Sequence, residues 1–440
     1  MGSEPHHQEG WIGASLLRKE DAKHLNGHAM FVADVRLPGM QDIAFLRSPV
    51  AHGILKRITK PSADAKNIYT IDDFPDLNVL DAGPELEAFR QTPYPALASK
   101  KMRYVGQAIA ACVAPNRAKA EDLCEQVELD YEELPAVVDA VDAMASTSAK
   151  LFENWPDNAY ITRTISAGDL EALKNAPVRV PCKFRMNRQA TVSMETRGCV
   201  AYWDRRQQEL LVYLSTQGGH VMRLGLSRAL GLAENKIRVI APDVGGGFGT
   251  KGKLYPEETI LAWASLKLAQ PLKWVSTRSE AFVSDYHARD HSTHAEMALD
   301  EQGHILAVRV KTHAALGAYV STVGAAVPTT VYTAVMSGPY KIPAIFAEVH
   351  AMFTNTVPTD AYRGAGRPEA CFVLERLIEE AAVQTGMDRF ELRRKNFIAR
   401  QDMPYSTPLG PTYDSGDFIR LFEQALQLAD HAGFAERRRA

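Results

Sequence analysis

Apolar residues in the first third of the chain follow two spacings, the alternation typical of strands and the three-to-four-residue repeat typical of helices. Short apolar runs at 41–49 and 107–115 predict strands, and the spacing over 116–131 predicts a helix. Residues 133–144 are rich in alanine and valine and close this part of the chain. The pattern therefore predicts a compact unit that mixes helix and strand.

The rest of the chain continues the same mixture. The pattern predicts strands at 209–217, 235–242 and 271–278, and helices at 219–232, 256–271, 366–388 and 417–440. Pro256 and Pro368 stand where two of these helices are predicted to begin, and Gly231 and Gly386 where two are predicted to end. The fold class that follows is α+β or mixed α/β.

A change in composition indicates where the chain divides. Residues 146–158 are mostly small and polar and contain a Trp-Pro pair, which is typical of a linker. We therefore predict an N-terminal extension over 1–20, a first domain over 21–145 and a second domain over 155–440. No convincing internal repeat is visible.

Charge and composition exclude several classes of protein. The formal net charge of −3, without a long basic run, argues against nucleic-acid binding. No apolar run approaches the roughly 20 residues that span a bilayer. The polar N-terminus lacks the basic and apolar regions of a secretory signal, so we expect a cytoplasmic protein with no membrane span.

Cysteine and histidine positions give no clear metal site. The cysteines lie far apart with no C-x-x-C pair, so we expect no zinc ribbon or iron–sulfur cluster in this chain. The neighbouring His6 and His7 have no partner at ligand spacing. His287, His291 and His294 alternate, and we interpret them as part of a polar, exposed strand rather than as metal ligands.

The segment 245–252 is the most unusual stretch, because it holds five glycines within eight residues between a predicted strand and a predicted helix. Gly247, Gly249 and Gly252 match the G-x-G-x-x-G pattern of dinucleotide sites, which leaves an NAD-dependent dehydrogenase as one interpretation. That pattern also requires an acidic residue about 20 positions later, and the first acid after the next strand, Glu280, lies further on. A sharp corner without a ligand is the other alternative.

Two more glycine-rich turns follow predicted strands and precede predicted helices. Gln217 ends one strand and precedes two glycines, while 359–370 reads TDAYRGAGRPEA and places Arg363 and Arg367 around a Gly-Ala-Gly core. Exposed backbone amides, a helix N-terminus and guanidinium groups are suited to an anion. The three turns together predict one phosphate-bearing ligand held by several loops.

In this order, the three stretches resemble the molybdenum-cofactor subunit of the xanthine oxidase family of molybdenum hydroxylases. The matching residues are Thr216-Gln217, the run GGGFGTK at 245–251 and the run AYRGAGRP at 361–368. Residues 24–58 and 104–139 are similar to the α/β hammerhead domain of that family. The resemblance implies a hammerhead domain followed by the first molybdenum-cofactor-binding domain.

The family resemblance also implies which residues contact the cofactor. These are Gln217, Gly246, Gly247, Phe248, Gly249, Arg363, Gly364 and Ala365. Gln217 is implied to donate a hydrogen bond to an oxygen ligand of the metal, and no side chain is implied to ligate the metal. The implied cofactor is molybdenum-molybdopterin in its cytosine dinucleotide form.

The implied reaction is the hydroxylation of an N-heterocycle or an aldehyde, with water as the oxygen source. Electrons would leave through [2Fe-2S] and FAD groups on partner subunits, which this chain's motifs do not supply. The family's catalytic base is a glutamate in a C-terminal half that would begin after Ala440. We therefore expect no catalytic residue in this chain.

The resemblance implies three partners besides a small-molecule substrate. They are a second molybdopterin-binding chain with the missing half, a small [2Fe-2S] subunit and an FAD or cytochrome subunit.

Carbon monoxide dehydrogenases have cysteine in place of Gly364, and xanthine enzymes have different residues at Gly252, Val331 and Ala365, so neither activity is expected. A non-catalytic scaffold of the same fold is a further alternative.

Overall fold

A computed structural model describes residues 12–80, 89 and 92–440 of the chain. Most of the predicted N-terminal extension, including His6 and His7, lies outside the described residues. The strands are β1 (Gln41–Arg47), β2 (Gly53–Thr59), β3 (Ile68–Tyr69), β4 (Lys101–Met102), β5 (Ala108–Ala114), β6 (Glu128–Glu133), β7 (Ala159–Ala167), β8 (Val178–Gln189), β9 (Gly198–Asp204), β10 (Glu209–Leu214), β11 (Ile237–Ile240), β12 (Leu272–Val275), β13 (Ala288–Leu299), β14 (Ile305–Gly317), β15 (Ala344–Phe353), β16 (Tyr405–Ser406) and β17 (Thr412–Tyr413).

The α-helices fall mainly in the second half of the chain. They are α1 (Asp21–Leu25), α2 (Arg117–Glu125), α3 (Ala172–Asn175), α4 (Gly219–Leu230), α5 (Pro256–Leu268), α6 (Arg278–Ser284), α7 (Tyr332–Ala334), α8 (Arg367–Thr385), α9 (Arg389–Asn396), α10 (Phe418–Leu428) and α11 (Phe434–Arg439). Among the described residues, none of these helices combines the length and the apolar character needed to cross a membrane.

The larger sheet joins early and late parts of the chain. Its strand order is β11-β10-β9-β12-β1-β5-β3, with β1 parallel to β12 and antiparallel to β5. Leu226 of α4, Leu261 of α5 and Trp274 of β12 belong to the core beside this sheet. The predicted linker at 146–158 therefore does not separate two independent sheets.

The second large sheet has the order β7-β15-β14-β13-β8, and α8 packs against one of its faces. Leu374, Leu377 and Ile378 of α8 meet Met297 and Val308 of the sheet in a continuous core. Helix α8 begins within the third glycine-rich segment, 359–370. The packing of α8 therefore holds that segment against the second large sheet. The mixed α/β fold class is confirmed.

Local sequence signals account for the ends of the long helices. Pro256 and Pro368 lie in the first turns of α5 and α8, where a missing N–H costs no intrahelical hydrogen bond. Gly231 and Gly386 end α4 and α8 with left-handed φ values of 66° and 72°. These predicted boundaries are confirmed.

Two predicted helices were too long. The helix predicted over 116–131 ends at Glu125, because residues from Glu128 pair with β2 as strand β6. The helix predicted over 417–440 is divided into α10 and α11. The break occurs where Asp430 adopts a φ of 45° and its carboxylate accepts a hydrogen bond from the N–H of Gly433.

The strand predicted at the histidines is confirmed as β13, but its predicted exposure was wrong. Strand β13 lies between β8 and β14, so both of its edges are paired and one face is covered. His291 is only 4% exposed, whereas His294 faces outward. Within the part of the chain that the structure describes, no group of three or more metal-binding side chains is present.

Candidate functional site

Three loops that are distant in sequence meet at one place. Gln217 follows β10, the glycine loop (residues 241–252) follows β11, and the arginine loop (residues 359–366) lies between β15 and α8. The N–H of Gly249 donates to Gln217 Oε1 over 2.8 Å, and the N–H of Arg363 donates to the Phe248 carbonyl over 2.8 Å. The loops are thus joined through backbone groups of the glycine loop.

The close approach of these loops explains two of the glycines. A Cβ on Gly247 would lie 2.4 Å from Cδ of Gln217. Gly249 has a φ of +110°, and a Cβ there would lie 2.2 Å from the carbonyl oxygen of Ala361. Contacts between loops of this chain therefore require bare backbone at both positions, independently of any ligand.

The Gln217 hydrogen bond also orients its side-chain amide. Because a backbone N–H needs an acceptor, the oxygen of the amide must face Gly249, and the nitrogen faces away. Within the described part of the chain no protein acceptor is found for that nitrogen. Gln217 is exposed, so its Nε2 is available to donate to a bound group.

The arginine loop presents an exposed cation beside the glycine loop. The Arg363 guanidinium carbon lies 5.9 Å from the centre of the Phe248 ring. Among the described residues no carboxylate lies within ion-pair distance of Arg363. Gly364, Ala365 and Gly366 have φ values of 94°, 42° and 85°, which turn the chain sharply into α8. The site thus combines an unneutralised guanidinium with exposed backbone.

Glu195 holds the glycine loop at Gly245 and at Lys251, and no sequence motif points to it. Its Oε2 accepts hydrogen bonds from the N–H of Gly245 over 2.8 Å, from Ser215 Oγ over 2.6 Å and from Lys251 Nζ over 2.8 Å. Burial lowers the pKa of Lys251, and the charge of Glu195 opposes that shift. These contacts join residues that are far apart in sequence, so residue spacing does not reveal them.

Arg289 holds the arginine loop through the carbonyl of Arg363, and no sequence motif indicates it. It lies in β13 with a φ of 67°, and it is 7% exposed. Its guanidinium donates to the carbonyl of Arg363 and to Glu369 Oε1, each over 2.9 Å. A buried arginine therefore holds the backbone that presents the exposed one.

Comparison with protein families gives a match over most of the chain. Residues 151–397, more than half of the chain, match the molybdopterin cofactor-binding domain. Residues 26–135 match the a/b hammerhead domain of aldehyde oxidase and xanthine dehydrogenase. The chain belongs to the xanthine oxidase family. Its fold is a hammerhead domain followed by a molybdopterin-binding domain.

Individual members of the xanthine oxidase family match nearly the whole chain. The carbon monoxide dehydrogenase large chain of Hydrogenophaga pseudoflava is 33% identical over 94% of this chain and 53% of its own length. The nicotine 6-hydroxylase large subunit of Paenarthrobacter nicotinovorans is 33% identical over 97% of this chain and 53% of its own. The crystal structure of quinoline 2-oxidoreductase from Pseudomonas putida 86 superposes with a TM-score of 0.91 at 32% identity, covering 97% and 55%. This chain spans about half the length of these relatives.

The residues predicted as cofactor contacts of this family member lie in the loops that meet. Gln217, Gly246, Gly247, Phe248, Gly249, Arg363, Gly364 and Ala365 all belong to them, and the first, fourth, sixth and seventh of these are exposed. An outward amide nitrogen, bare backbone and an unpaired guanidinium are suited to an anionic cofactor. The residues present therefore fit a molybdopterin cofactor.

The fold disfavours the dinucleotide interpretation of Gly247, Gly249 and Gly252. The glycine loop enters a 3₁₀ turn, Thr250–Gly252, and helix α5 begins only at Pro256. The next strand, β12, pairs with β9 and β1 rather than beside β11. A dinucleotide site needs the glycines at the helix start within a parallel βαβ unit, and that arrangement is not found here.

Proposed function

We propose that this chain is the N-terminal, molybdopterin-binding part of a multi-subunit molybdenum hydroxylase. Its substrate would be an N-heterocycle or an aldehyde, with water as the oxygen source. The observation that carries the proposal is the meeting of three loops at Gln217, Phe248 and Arg363. The N–H of Gly249 donates to Gln217 Oε1, and the N–H of Arg363 donates to the Phe248 carbonyl. Relatives named for nicotine and quinoline support the N-heterocycle over the aldehyde.

The residues of this chain would hold and orient the cofactor. Arg363 supplies a fixed positive charge for an anionic pterin, and Gln217 Nε2 donates a directed hydrogen bond. The backbone at 246–249, with Gly364 and Ala365, permits close approach. When bound, the molybdenum cofactor supplies the two-electron oxidation of a carbon centre. We infer its cytosine dinucleotide form from the family resemblance.

The remaining functions belong to other polypeptide segments. We propose residues 21–145 as the hammerhead domain and 155–440 as the cofactor domain. The glutamate that acts as the catalytic base would lie on a second molybdopterin-binding half. A small [2Fe-2S] subunit and an FAD or cytochrome subunit would carry electrons away. We place the complex in the cytoplasm. The half-length match to the relatives and the exposed face of the site support this division.

Metal analysis of the purified complex tests the proposal. We expect about one molybdenum per copy of this chain. Arg363→Ala should lower the molybdenum content about tenfold, because charge-assisted hydrogen bonds to an anion are lost. Arg206→Ala, which removes an exposed arginine on the turn between β9 and β10, is the matched control.

Two results would contradict the proposal. An active complex that contains no molybdenum would exclude it. Full turnover of a Gln217→Ala complex would favour a non-catalytic scaffold instead, because the substitution removes both the outward amide nitrogen and the oxygen that accepts from the N–H of Gly249.

A further inference from the structure

A buried ion pair joins the end of the glycine loop to the start of the arginine loop. Lys253 directly follows the glycine loop, and its Nζ contacts the carboxylate of Asp360 in the arginine loop. The two residues are only 6% and 3% exposed. A buried charge is costly unless an opposite charge compensates it. Each member of the pair therefore depends on the contact with the other.

The two members are held in place differently. Asp360 Oδ1 accepts a hydrogen bond from the N–H of Ala361. Asp360 Oδ2 contacts the Ser321 hydroxyl and accepts from the N–H of Val323 over 3.2 Å. Lys253 Nζ, in contrast, has no partner other than Asp360 within the described part of the chain. Asp360 is thus a fixed anchor, and Lys253 is tethered to it.

The ion pair lies beside the contacts that join the two loops. The N–H of Arg363 donates to the Phe248 carbonyl over 2.8 Å. A Cβ on Gly249 would lie 2.2 Å from the carbonyl oxygen of Ala361. The carboxylate of the pair belongs to the residue before Ala361, and its ammonium belongs to the fourth residue after Gly249. The loops are therefore joined by backbone contacts and, close by, by buried charge.

Burial also makes the charge of Lys253 dependent on its partner. Burial alone lowers the pKa of Lys253 to about 7, and a carboxylate in contact opposes that shift. Loss of Asp360 would therefore leave a lysine that is poorly accommodated in the interior. The end of the glycine loop would have to move to bring that side chain to water.

We infer that Lys253 and Asp360 are positioning residues that set the separation of the glycine loop and the arginine loop. Both side chains are buried, so they act on Phe248 and Arg363 through the backbone of the two loops. A small change in that separation would misplace the exposed groups that the two loops present to a ligand. The positioning concerns the chain before any cofactor binds, and only its effect on molybdenum content rests on the proposed function.

Amide hydrogen exchange of the full chain tests this role without reference to activity. The N–H groups of Gly249 and Arg363 report on the junction, because each donates to a different loop. We expect Lys253→Met and Asp360→Asn each to raise the exchange rate of both amides at least about tenfold, because one buried charge loses its partner. The rates are measured at single residues by mass spectrometry with electron-transfer fragmentation.

A second buried lysine provides the matched control. Lys273 of β12 is also 6% exposed, and it donates to the carbonyl of Val35, outside both loops. Lys273→Met should leave the Gly249 and Arg363 rates within a factor of about two. The amide of Val310 in the central strand β14 reports global unfolding.

Two exchange results would overturn the inference. Unchanged rates at both loop amides in the Lys253 and Asp360 variants would mean that the pair does not hold the loops. Acceleration at Val310 in step with the loop amides would mean that the pair serves only global stability.

The double variant Lys253→Met/Asp360→Asn shows whether the two side chains act as a unit. No buried charge is left uncompensated in this variant, so its loop amides should exchange no faster than those of the faster single variant. Effects of the two substitutions that multiply would mean that the side chains act separately, which contradicts a positioning pair.

The purified complex separates this role from the proposed function. Lys253→Met should lower the molybdenum content at least about threefold, with the KM of the loaded sites unchanged, because the displaced loops bind cofactor rather than substrate. A raised KM at full molybdenum content would place Lys253 in the substrate pocket and overturn the inference. Faster exchange at the loop amides, in a chain whose active complex contains no molybdenum, would uphold the positioning role and reject the proposed function.

Discussion

Backbone strain at the candidate site is concentrated in two residues that are not glycine. Phe248 and Ala365 have left-handed φ values of 51° and 42°, which cost roughly 1–2 kcal/mol each. The Phe248 carbonyl accepts from Arg363, and the N–H of Ala365 donates to the Tyr362 carbonyl over 2.7 Å. These hydrogen bonds between and within the loops hold a conformation that the isolated residues would avoid.

At the scale of single residues, Gly247 and Gly252 of the glycine loop provide a test substitution and its matched control. Gly247→Ala should reduce turnover about ten- to a hundredfold, because the added Cβ would displace the Gln217 side chain. Gly252→Ala should stay within a factor of about two, because its Cβ would meet no atom within 4 Å. The measurement is kcat of the two complexes, together with their molybdenum content. Equal losses in both variants would contradict the role assigned to Gly247.

At the scale of elements, sequence patterns predict the helix ends and the loop motifs but not which strand is buried. Helices α4, α5 and α8 were predictable because their ends depend on local proline and glycine signals. The loop residues of the site were predictable because they lie in contiguous motifs. The burial of β13 was not, because a strand's exposure depends on neighbours that alternation cannot identify. Glu195 and Arg289 were missed for the same reason, since their partners are distant in sequence.

Burial at the start of β13 predicts sensitivity to acid. Desolvation, aided by the charge of Arg188, lowers the pKa of His287 to about 4 from its ordinary 6.5. Between these values the unfolded chain binds more protons than the folded one, so the free energy of unfolding falls as the pH drops from 6.5 towards 4. His287→Gln should show a shallower loss in urea titrations at pH 7 and pH 5.

A matched substitution separates this effect from the general acid response. His28 is exposed on the surface, so His28→Gln should keep the slope of the unmodified chain. If both variants lose stability with the slope of the unmodified chain, His287 does not carry the effect.

On the scale of the whole molecule, the two predicted domains are joined by strand pairing and by buried charge. Strand β1 pairs with β12, and Arg47 at the end of β1 contacts Glu257 of α5 and Glu280 of α6 over 2.8 and 3.0 Å. Within the second domain, the buried Arg197 contacts the same Glu257 over 3.2 Å and Asp285 over 2.6 Å. Pairings between residues so distant in sequence leave no local signal, so the linker pattern at 146–158 gave no indication of this connection.

Calorimetry of the full chain should therefore show one unfolding transition. Arg47→Met should lower the stability of that single transition by about 3 kcal/mol, because Glu257 and Glu280 lose a buried partner. Arg206→Met, at an exposed turn, should leave the midpoint unchanged. Two separate transitions, with only the first moved by Arg47→Met, would mean that the domains unfold independently.

The contact between Gly364 and Pro368 restricts the order in which substitutions can accumulate in the arginine loop. A Cβ at 364 would lie 2.5 Å from Cγ and Cδ of the proline ring, in a residue whose φ is +94°. A side chain at 364 is therefore accessible only after the proline has been replaced or the start of α8 has moved. Gly364 and Pro368 are therefore coupled, and a redesign of the arginine loop that adds a side chain at 364 must also change position 368.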